Sequence, residues 1–592
     1  MNINDKLKKL REHMIISGLD AYIVPSYDAH QSEYVHDHWK SRTWLSGFTG
    51  SAGTLVITLK ESGLWTDGRY FIQAENELKG SEIKLFKMRE PGVPSYKEWL
   101  KDNLTANCKI GFDGKVMPIS DIKDLKNTLN NHTINLEGSY DIVDLIWTNR
   151  PSLPLDKIFV HPKKFAGKDI NEKLSLVRRE MSNLKADYYL LTTLDDIAWL
   201  FNIRGNDVKN NPVAISYSLI SKDEIYLFID KEKLTTDVVE ELTYFHVKIE
   251  DYNSIYNSIT KIPSNNSILV DAAKTSFNLY NSIPCHCKII KGQNLVQNIK
   301  AIKNTIEIEH IKNCHIKDGV AMVKFLYWLK SNIGKETITE ISASNKLEAF
   351  RNEQLHFITP SFDTIAAYKD HAAMMHYKAT EDNQYTLENK SLFLVDSGGQ
   401  YLDGTTDITR TIVLGEITPE EKHHFTLVLK GHIALSKAKF LHGVTGTNLD
   451  VLARLPIWSE GIDYKCGTGH GVGYCLSVHE APQRFSINYN EAVLEEGMII
   501  TNEPGIYIEG KHGIRTENEL LIIQDEVTDF GTFMRFETIT YCPIDLQGVD
   551  VTILTPEEKQ WLNDYHKKVY TLLYPHLNTD EKLWLKEATS EI

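Results

Sequence analysis

The apolar positions of residues 4 to 18 fall at Leu7, Leu10, Met14 and Ile15, a helical spacing, and the run AYIVP that follows is short and wholly apolar. The pattern predicts a helix followed by a buried strand of about four residues. Farther on, SAGTLVITL and SGLWTDGRYFIQAENEL predict two strands joined by a turn and running into a helix, with Gly53, Gly63 and Gly68 as punctuation. These elements amount to a small α/β domain over 1–150, and the proline-containing polar segment RPSLPLDK marks its boundary.

Past that boundary the pattern starts again. NEKLSLVRREMSNLKADYYLL at 171–191 aligns with NDKLKKLREHMIISGLDAYIV at 4–24, so that Asn4, Lys6, Leu7, Arg11, Met14, Asp20 and Tyr22 recur as Asn171, Lys173, Leu174, Arg178, Met181, Asp187 and Tyr189. Each copy is followed by a Trp-Leu pair, Trp44-Leu45 and Trp199-Leu200. Identities held in one register indicate a duplicated domain, and the second copy is assigned to 151–298.

From 299 the texture changes. AIKNTIEIEHIKNCHIKDGVAMVKFLYWLKSNIG predicts at least one long amphipathic helix, marked by Ile308, Ile311, His315, Met322, Phe325 and Leu329. Strand-like runs and turns are expected from there to about 545, and a last helix begins with Thr555 as N-cap and Pro556 at its first position. The aromatic and leucine side chains of that helix are expected to pack on the third domain, 299–592, or across a subunit contact.

Composition narrows the picture. The chain has 592 residues, 42% hydrophobic and 24% charged, and no apolar run nears the roughly 20 residues needed to cross a bilayer. A net charge of -15 disfavours nucleic acid and anionic membrane surfaces as partners. The first residues carry charge where a secretory signal needs an apolar core, and seven scattered cysteines suit a reducing compartment. A cytoplasmic location is expected. Two metal-like clusters, His36-Asp37-His38 and Cys285-His286-Cys287, lack the spacing of a ligand set and are expected to be ordinary loop residues.

Candidate chemistry concentrates in Asp396–Glu519. SLFLVD is an apolar strand ending in Asp396, GGQYLDG supplies a turn, and the alternation of DITRTIVL lets Asp407 share a face with Asp396 on an antiparallel neighbour. Two carboxylates on one face repel, and a cation removes that penalty. Glu503 follows the run MII and Glu517 precedes ELLII, which places them on a second hairpin opposite the first; His470 stands in GTGHGVG. Four carboxylates with one imidazole favour manganese, cobalt or iron(II) over structural zinc. Five such groups suit a pair of ions ~3.5–4 Å apart holding a shared hydroxide, and hence metal-assisted hydrolysis.

The order Asp, Asp, His, Glu, Glu in VDSGGQYLDGTTDITRT, GTGHGVG, NEPGIY and RTENEL resembles the pita-bread metallopeptidases. With AYIVPSYDAHQSEY, SGFTGSAGT, WTDGRYF, WLFNIRGNDVKNNPV, MMHY and SVHE, it is similar in detail to the three-domain cytosolic Xaa-Pro aminopeptidases over nearly the whole chain. The resemblance implies an α/β (α+β) protein with two creatinase-like N-terminal domains and a pita-bread catalytic domain. It implies two manganese ions on Asp396, Asp407, His470, Glu503 and Glu517, and homodimerisation. It also implies release of the first residue from peptides with proline at position 2. Glu503 would handle the proton, and His376 and His479 would contact the substrate, as would His470 and Arg69; Arg515 would sit beside the ligands.

One position departs from the pattern: Cys466, in YKCGTGH, stands where relatives usually have a histidine, and a thiol is the weaker donor. Alternatives with the same motifs are a prolidase-like Xaa-Pro dipeptidase, a metal-free creatinase-type hydrolase and a non-catalytic peptide-binding relative. The extra middle domain argues against the first, and five intact ligands argue against the other two.

Overall fold

The computed structural model describes residues 1–592 apart from 106, 131 and 132. The chain divides into two compact units, Met1–His161 with Lys168–Val296, and Pro162–Gly167 with Gln297–Ile592.

The first unit is built on two six-stranded sheets of the same plan. Edge to edge, one runs Ile83–Lys87, Ser62–Thr66, Thr54–Thr58, Ala21–Val24, Cys108–Phe112, Ile134–Glu137. The other runs Lys248–Glu250, Ile225–Ile229, Ser216–Ser221, Tyr188–Leu191, Ser267–Val270, Lys288–Lys291. In each, the strand after the first helix pairs antiparallel on one side and parallel on the other.

The repeated residues have matching tasks. Lys6 and Lys173 donate to the carbonyls of Trp44 (2.7 Å) and Trp199 (2.8 Å) while lying over the same indoles. Arg11 and Arg178 donate to Thr58 O (2.8 Å) and Ser221 O (3.0 Å), tying each first helix to a strand end. Asp20 and Asp187 accept from an N–H at the start of the parallel strand, Lys109 N and Ser267 N. Equivalent turns of the two copies also bond to each other, Ile119 N to Thr275 O and Phe277 N to Met117 O. The first helix spans Ile3–Ile16 and buries Leu7, Leu10 and Met14, but Ile15 is 65% exposed. Adjacent helical positions lie ~100° apart, so a narrow apolar stripe admits one of the two.

The longest helix of the second unit is the 28-residue Thr305–Asn332, whose N-terminus Asn304 and Glu307 close as a capping box. Its Ile311, His315, Met322, Phe325 and Leu329 are buried. A three-stranded sheet, Ile365–Tyr368, Leu392–Ser397 and Ile408–Val413, lies beside a six-stranded one running Lys439–Leu441, Gly531–Thr538, Asn518–Thr528, Ile499–Asn502, Gly469–Gly471, Glu480–Phe485.

Two expectations need correction. The region to 545 is not only strands, since it includes the helices Glu340–Asn352, Pro419–Ser436 and Gly446–Trp458. GGQYLDG is not a bare turn either; it folds as a small hairpin, Gly399–Tyr401 against Gly404–Thr405.

The last long helix, Pro556–Leu573, starts with the Thr555–Glu558 capping box. Leu562, Tyr565, Val569 and Leu573 enter a core with Phe425, Val428, Ile433, Ile506 and Ile514. Each such side chain contributes about 1.5–3 kcal/mol when fully buried, so this helix packs into the hydrophobic core of the second unit. Among the described residues, no helix is long and apolar enough to cross a membrane.

Candidate metal centre

Strand registers bring the five predicted ligands into position. Asp396 lies opposite Thr409 in the pair Leu392–Ser397 and Ile408–Val413, and Asp407 stands two residues before Thr409 on the same face. Glu503 and Glu517 flank the pair Asn502–Asn518, which ends the ladder between Ile499–Asn502 and Asn518–Thr528. Thr409 joins the two carboxylate pairs, because its hydroxyl donates to Glu517 Oε2 (2.8 Å) and its carbonyl accepts from Glu517 N (3.1 Å). His470 is the middle residue of Gly469–Gly471. A Cβ at Gly469 would lie 1.9 Å from Thr501 O, and one at Gly471 2.4 Å from Glu480 O, so the flanking glycines are what lets this strand fit.

One ligand atom each from Asp407, His470 and Glu517 falls within 4.8 Å of the others, and among the described residues no other three potential ligands converge so closely. His470 Nδ1 donates to Gly471 O (2.9 Å), which leaves the lone pair on Nε2, 3.4 Å from Asp407 Oδ2 and 3.6 Å from Glu503 Oε1. Arg515 donates to Asp396 Oδ2 (2.5 Å) and comes within 4.0 Å of Glu503 Oε2.

The electrostatics are those of crowded, buried carboxylates. Burial first, then the charges of Asp396 and Glu503, push the Asp407 carboxyl well above the usual range; burial and Asp407 do the same to Glu517. Burial opposes the charge on Arg515, yet the Tyr507 phenol and the carboxylates of Asp396, Glu503 and Glu517 outweigh it and hold the guanidinium charged. Asp396 Oδ1 is buried without a hydrogen-bond partner. An orphaned carboxylate oxygen, a free imidazole lone pair and crowded oxygens are the donor set of hard divalent cations, and the residues present fit a metal pair.

Several residues that pattern reading passed over support this centre. The Glu519 carboxylate accepts from Asp407 N (2.8 Å) and lies 3.3 Å from His315 Nε2. Its signal was available, because residues 517 and 519 share a face in any strand. Arg410 is buried beneath the ligands and donates to Glu517 O (2.7 Å), Asn518 Oδ1 (2.8 Å) and Tyr565 Oη (2.8 Å). Tyr507 accepts from Arg515 at 2.6 Å. Nothing in the alternation of charges marks Arg410 or Tyr507, since both act across the fold.

The remaining predicted residues separate. His479 meets His470 edge to face, ring centroids 4.2 Å apart. Its neighbour Glu480 is buried between Lys300 (2.7 Å) and Lys303. His376 follows Met375, whose carbonyl accepts from Arg515 (3.4 Å). Arg69 belongs to the other unit, where it makes two 2.8 Å bonds to Asp67. Cys466 is half-buried against the core that holds Ile506 and Ile514, and its carbonyl accepts from Arg454 (2.7 Å). Cys285 is exposed, Cys287 is buried, and His286 bonds Ile262 O (3.1 Å). His36 Nδ1 caps a turn by accepting from His38 N, and His38 Nδ1 donates to Pro151 O (2.7 Å).

Comparison with known proteins places this geometry. Residues 309–524 match metallopeptidase family M24, 532–592 the C-terminal region of peptidase M24, and 6–146 and 149–307 each match the creatinase/prolidase N-terminal domain. A probable Xaa-Pro aminopeptidase P of Paracoccidioides brasiliensis is 38% identical over 100% of both chains. Xaa-Pro aminopeptidase 1 of Dictyostelium discoideum is 40% identical over 99% of this chain and 96% of its own. The crystal structure of X-prolyl aminopeptidase from Caenorhabditis elegans, described as a cytosolic enzyme with a di-nuclear active site, superposes with a TM-score of 0.96 at 36% identity, covering 100% of both chains. With identity of this level along its whole length, the chain belongs to the Xaa-Pro aminopeptidases of metallopeptidase family M24, with two creatinase-like N-terminal domains and a pita-bread catalytic domain.

Proposed function

We propose that this protein is a metal-dependent aminopeptidase that releases the first residue of peptides with proline at position 2. The observation that carries the reading is the convergence of Asp407, His470 and Glu517, with Asp396 and Glu503 beside them, in a chain of that family. Asp396, Asp407, His470, Glu503 and Glu517 would hold two divalent ions, with manganese the first candidate for this oxygen-rich set. When bound, the ions supply a nucleophilic hydroxide at neutral pH and a Lewis acid for the scissile carbonyl.

The side chains do the rest. Glu503 is half-buried where the other carboxylates are closed in, and one of its oxygens faces His470 Nε2; it can take the proton lost on attack and pass it to the leaving amine. His479, against His470, and His376, on the segment tied to Arg515, are assigned to the carbonyl oxygen as it gains charge. Removing one such donor lowers turnover by roughly 10²–10³-fold, and each alanine variant should keep its metal. The domains are taken as 1–150, 151–298 and 299–592, and the working form as a cytoplasmic homodimer.

The test is hydrolysis of Arg-Pro-Pro, Arg-Pro and Arg-Ala-Ala by metal-loaded protein. Cleavage of Arg-Pro-Pro alone supports the reading. Preference for Arg-Pro would make the protein a dipeptidase of prolidase type, and inertness toward all three would leave a peptide-binding relative.

A further inference from the structure

Glu340 is fully buried, and among the described residues no lysine or arginine pairs with its carboxylate. It is the first residue of the helix Glu340–Asn352. Its Oε1 accepts from Tyr368 N (2.7 Å) and His371 Nδ1 (3.0 Å), and its Oε2 from Tyr385 N (2.8 Å) and from the Tyr377 hydroxyl (2.8 Å), whose single proton is shared with Asn383 O (2.5 Å). The His371 ring stacks on those of Tyr377 and Tyr385, with centroids 4.4 and 3.7 Å away. Four donors converge on one side chain, and only a carboxylate can accept from all of them while presenting no donor of its own. A buried charge is costly without such compensation, so its use here calls for a reason beyond filling space.

The four donors come from residues 368 to 385 and bracket His376, whose next neighbour is Tyr377. The other side of the segment is held by the hairpin Gly505–Ile508 and His512–Arg515. A Cβ at Gly513 would lie 1.7 Å from Ala372 O, so the two backbones touch, and Arg515 of the same hairpin reaches both Met375 O (3.4 Å) and Asp396 (2.5 Å). The segment is therefore clamped between the buried Glu340 and a hairpin anchored to the metal centre.

We propose that Glu340 is a positioning residue for catalysis, clamping both flanks of the His376 segment so that the imidazole is fixed relative to the metal centre. The proposal rests on the reading of His376 as a partner of the reacting carbonyl. Glu340 touches neither substrate nor metal. Its substitution acts through His376, by letting the imidazole leave a geometry in which displacement of ~1 Å can cost about 10²-fold in rate.

The experiment compares Glu340→Gln, His376→Ala and the double variant, as full-length metal-loaded protein, on Arg-Pro-Pro. Glu340→Gln is expected to lower kcat roughly 10- to 100-fold, with KM and bound metal little changed. Faster amide exchange is expected in 368–385 but not in Ile499–Asn502. Added to His376→Ala, it should cause no further loss, since both changes remove one function. Wild-type kcat in Glu340→Gln, or losses that multiply in the double variant, would overturn the proposal. Full turnover by His376→Ala alone would show that the reading of His376 has failed, and the proposal would fall with it. Should Glu340→Gln not fold, Tyr377→Phe, which removes one of the four donors, takes its place in the same comparison; unchanged kcat there would overturn the proposal.

Discussion

Arg515 donates to Asp396 across 2.5 Å inside the protein, with only 3% and 11% of the two side chains exposed. The same guanidinium reaches Tyr507 Oη (2.6 Å), Thr409 Oγ1 (3.1 Å) and Met375 O (3.4 Å). One cation thus pairs with the Asp396 carboxylate, braces the strand beneath it and ties in the His376 segment.

Arg515→Lys removes that fork, because an ammonium is a point charge that cannot reach all four acceptors. Each charge-assisted hydrogen bond lost in this way costs about 1.5–3 kcal/mol. Cations held by this cluster would compensate Asp396 in part, so urea unfolding should show the loss mostly in metal-free protein. Equal losses with and without metal would count against this role.

The raised carboxyls predict a pH signature for the metal-free protein. A carboxyl whose value is higher folded than unfolded stabilises the fold fully below the ordinary carboxylate range, and that contribution is lost as pH rises through the raised value. Asp407 is of this kind, owing to burial and then Asp396. Metal-free Asp407→Asn should therefore melt above metal-free wild type near neutral pH and lose that advantage in acid. A pH-independent difference in Tm would contradict the assignment.

Much of this was legible in the chain because it depends on local pattern. The duplication showed in Lys6/Lys173, Arg11/Arg178 and Asp20/Asp187, which recur because each copy needs the same three bonds. The converging acidic side chains could be picked out because strands put alternate residues on one face. The helix Pro419–Ser436 was missed although Thr418-Pro419-Glu420-Glu421 repeats the opening of the final helix, Thr555-Pro556-Glu557-Glu558. Its first turn is signalled, but it is buried on several sides and lacks an amphipathic stripe. Arg410 and Glu340 were hidden for another reason: apart from Thr409 O beside Arg410, their partners lie 107 and 28 or more positions away, and no spacing rule reaches that far.

Tyr565 links the C-terminal helix to the centre through Arg410, which also supports Glu517 O. Tyr565→Phe keeps the packing and removes the hydroxyl. It should cost about 1–2 kcal/mol by urea unfolding and lower the affinity for metal. Unchanged metal binding would confine the helix to a packing role.

His432 is buried, accepts from Asn518 Nδ2 (3.1 Å) and donates to Asn502 O (3.1 Å). Burial and then Arg410 lower its value to about 3. A histidine depressed in the fold stabilises it above its unfolded value, and that contribution is lost as pH falls from there toward about 3; in full it is on the order of 5 kcal/mol. His432→Gln should therefore flatten acid unfolding over this range, and an unchanged acid midpoint would contradict the argument.

The most direct measurement is a titration of metal-stripped protein with manganese, reading bound equivalents and Arg-Pro-Pro hydrolysis together, with Glu503→Ala alongside. Two ions per chain are expected, with activity absent before metal, restored on binding, and abolished in the variant. Full activity in the stripped protein, or in Glu503→Ala, would contradict the assignment of this cluster as the catalytic centre.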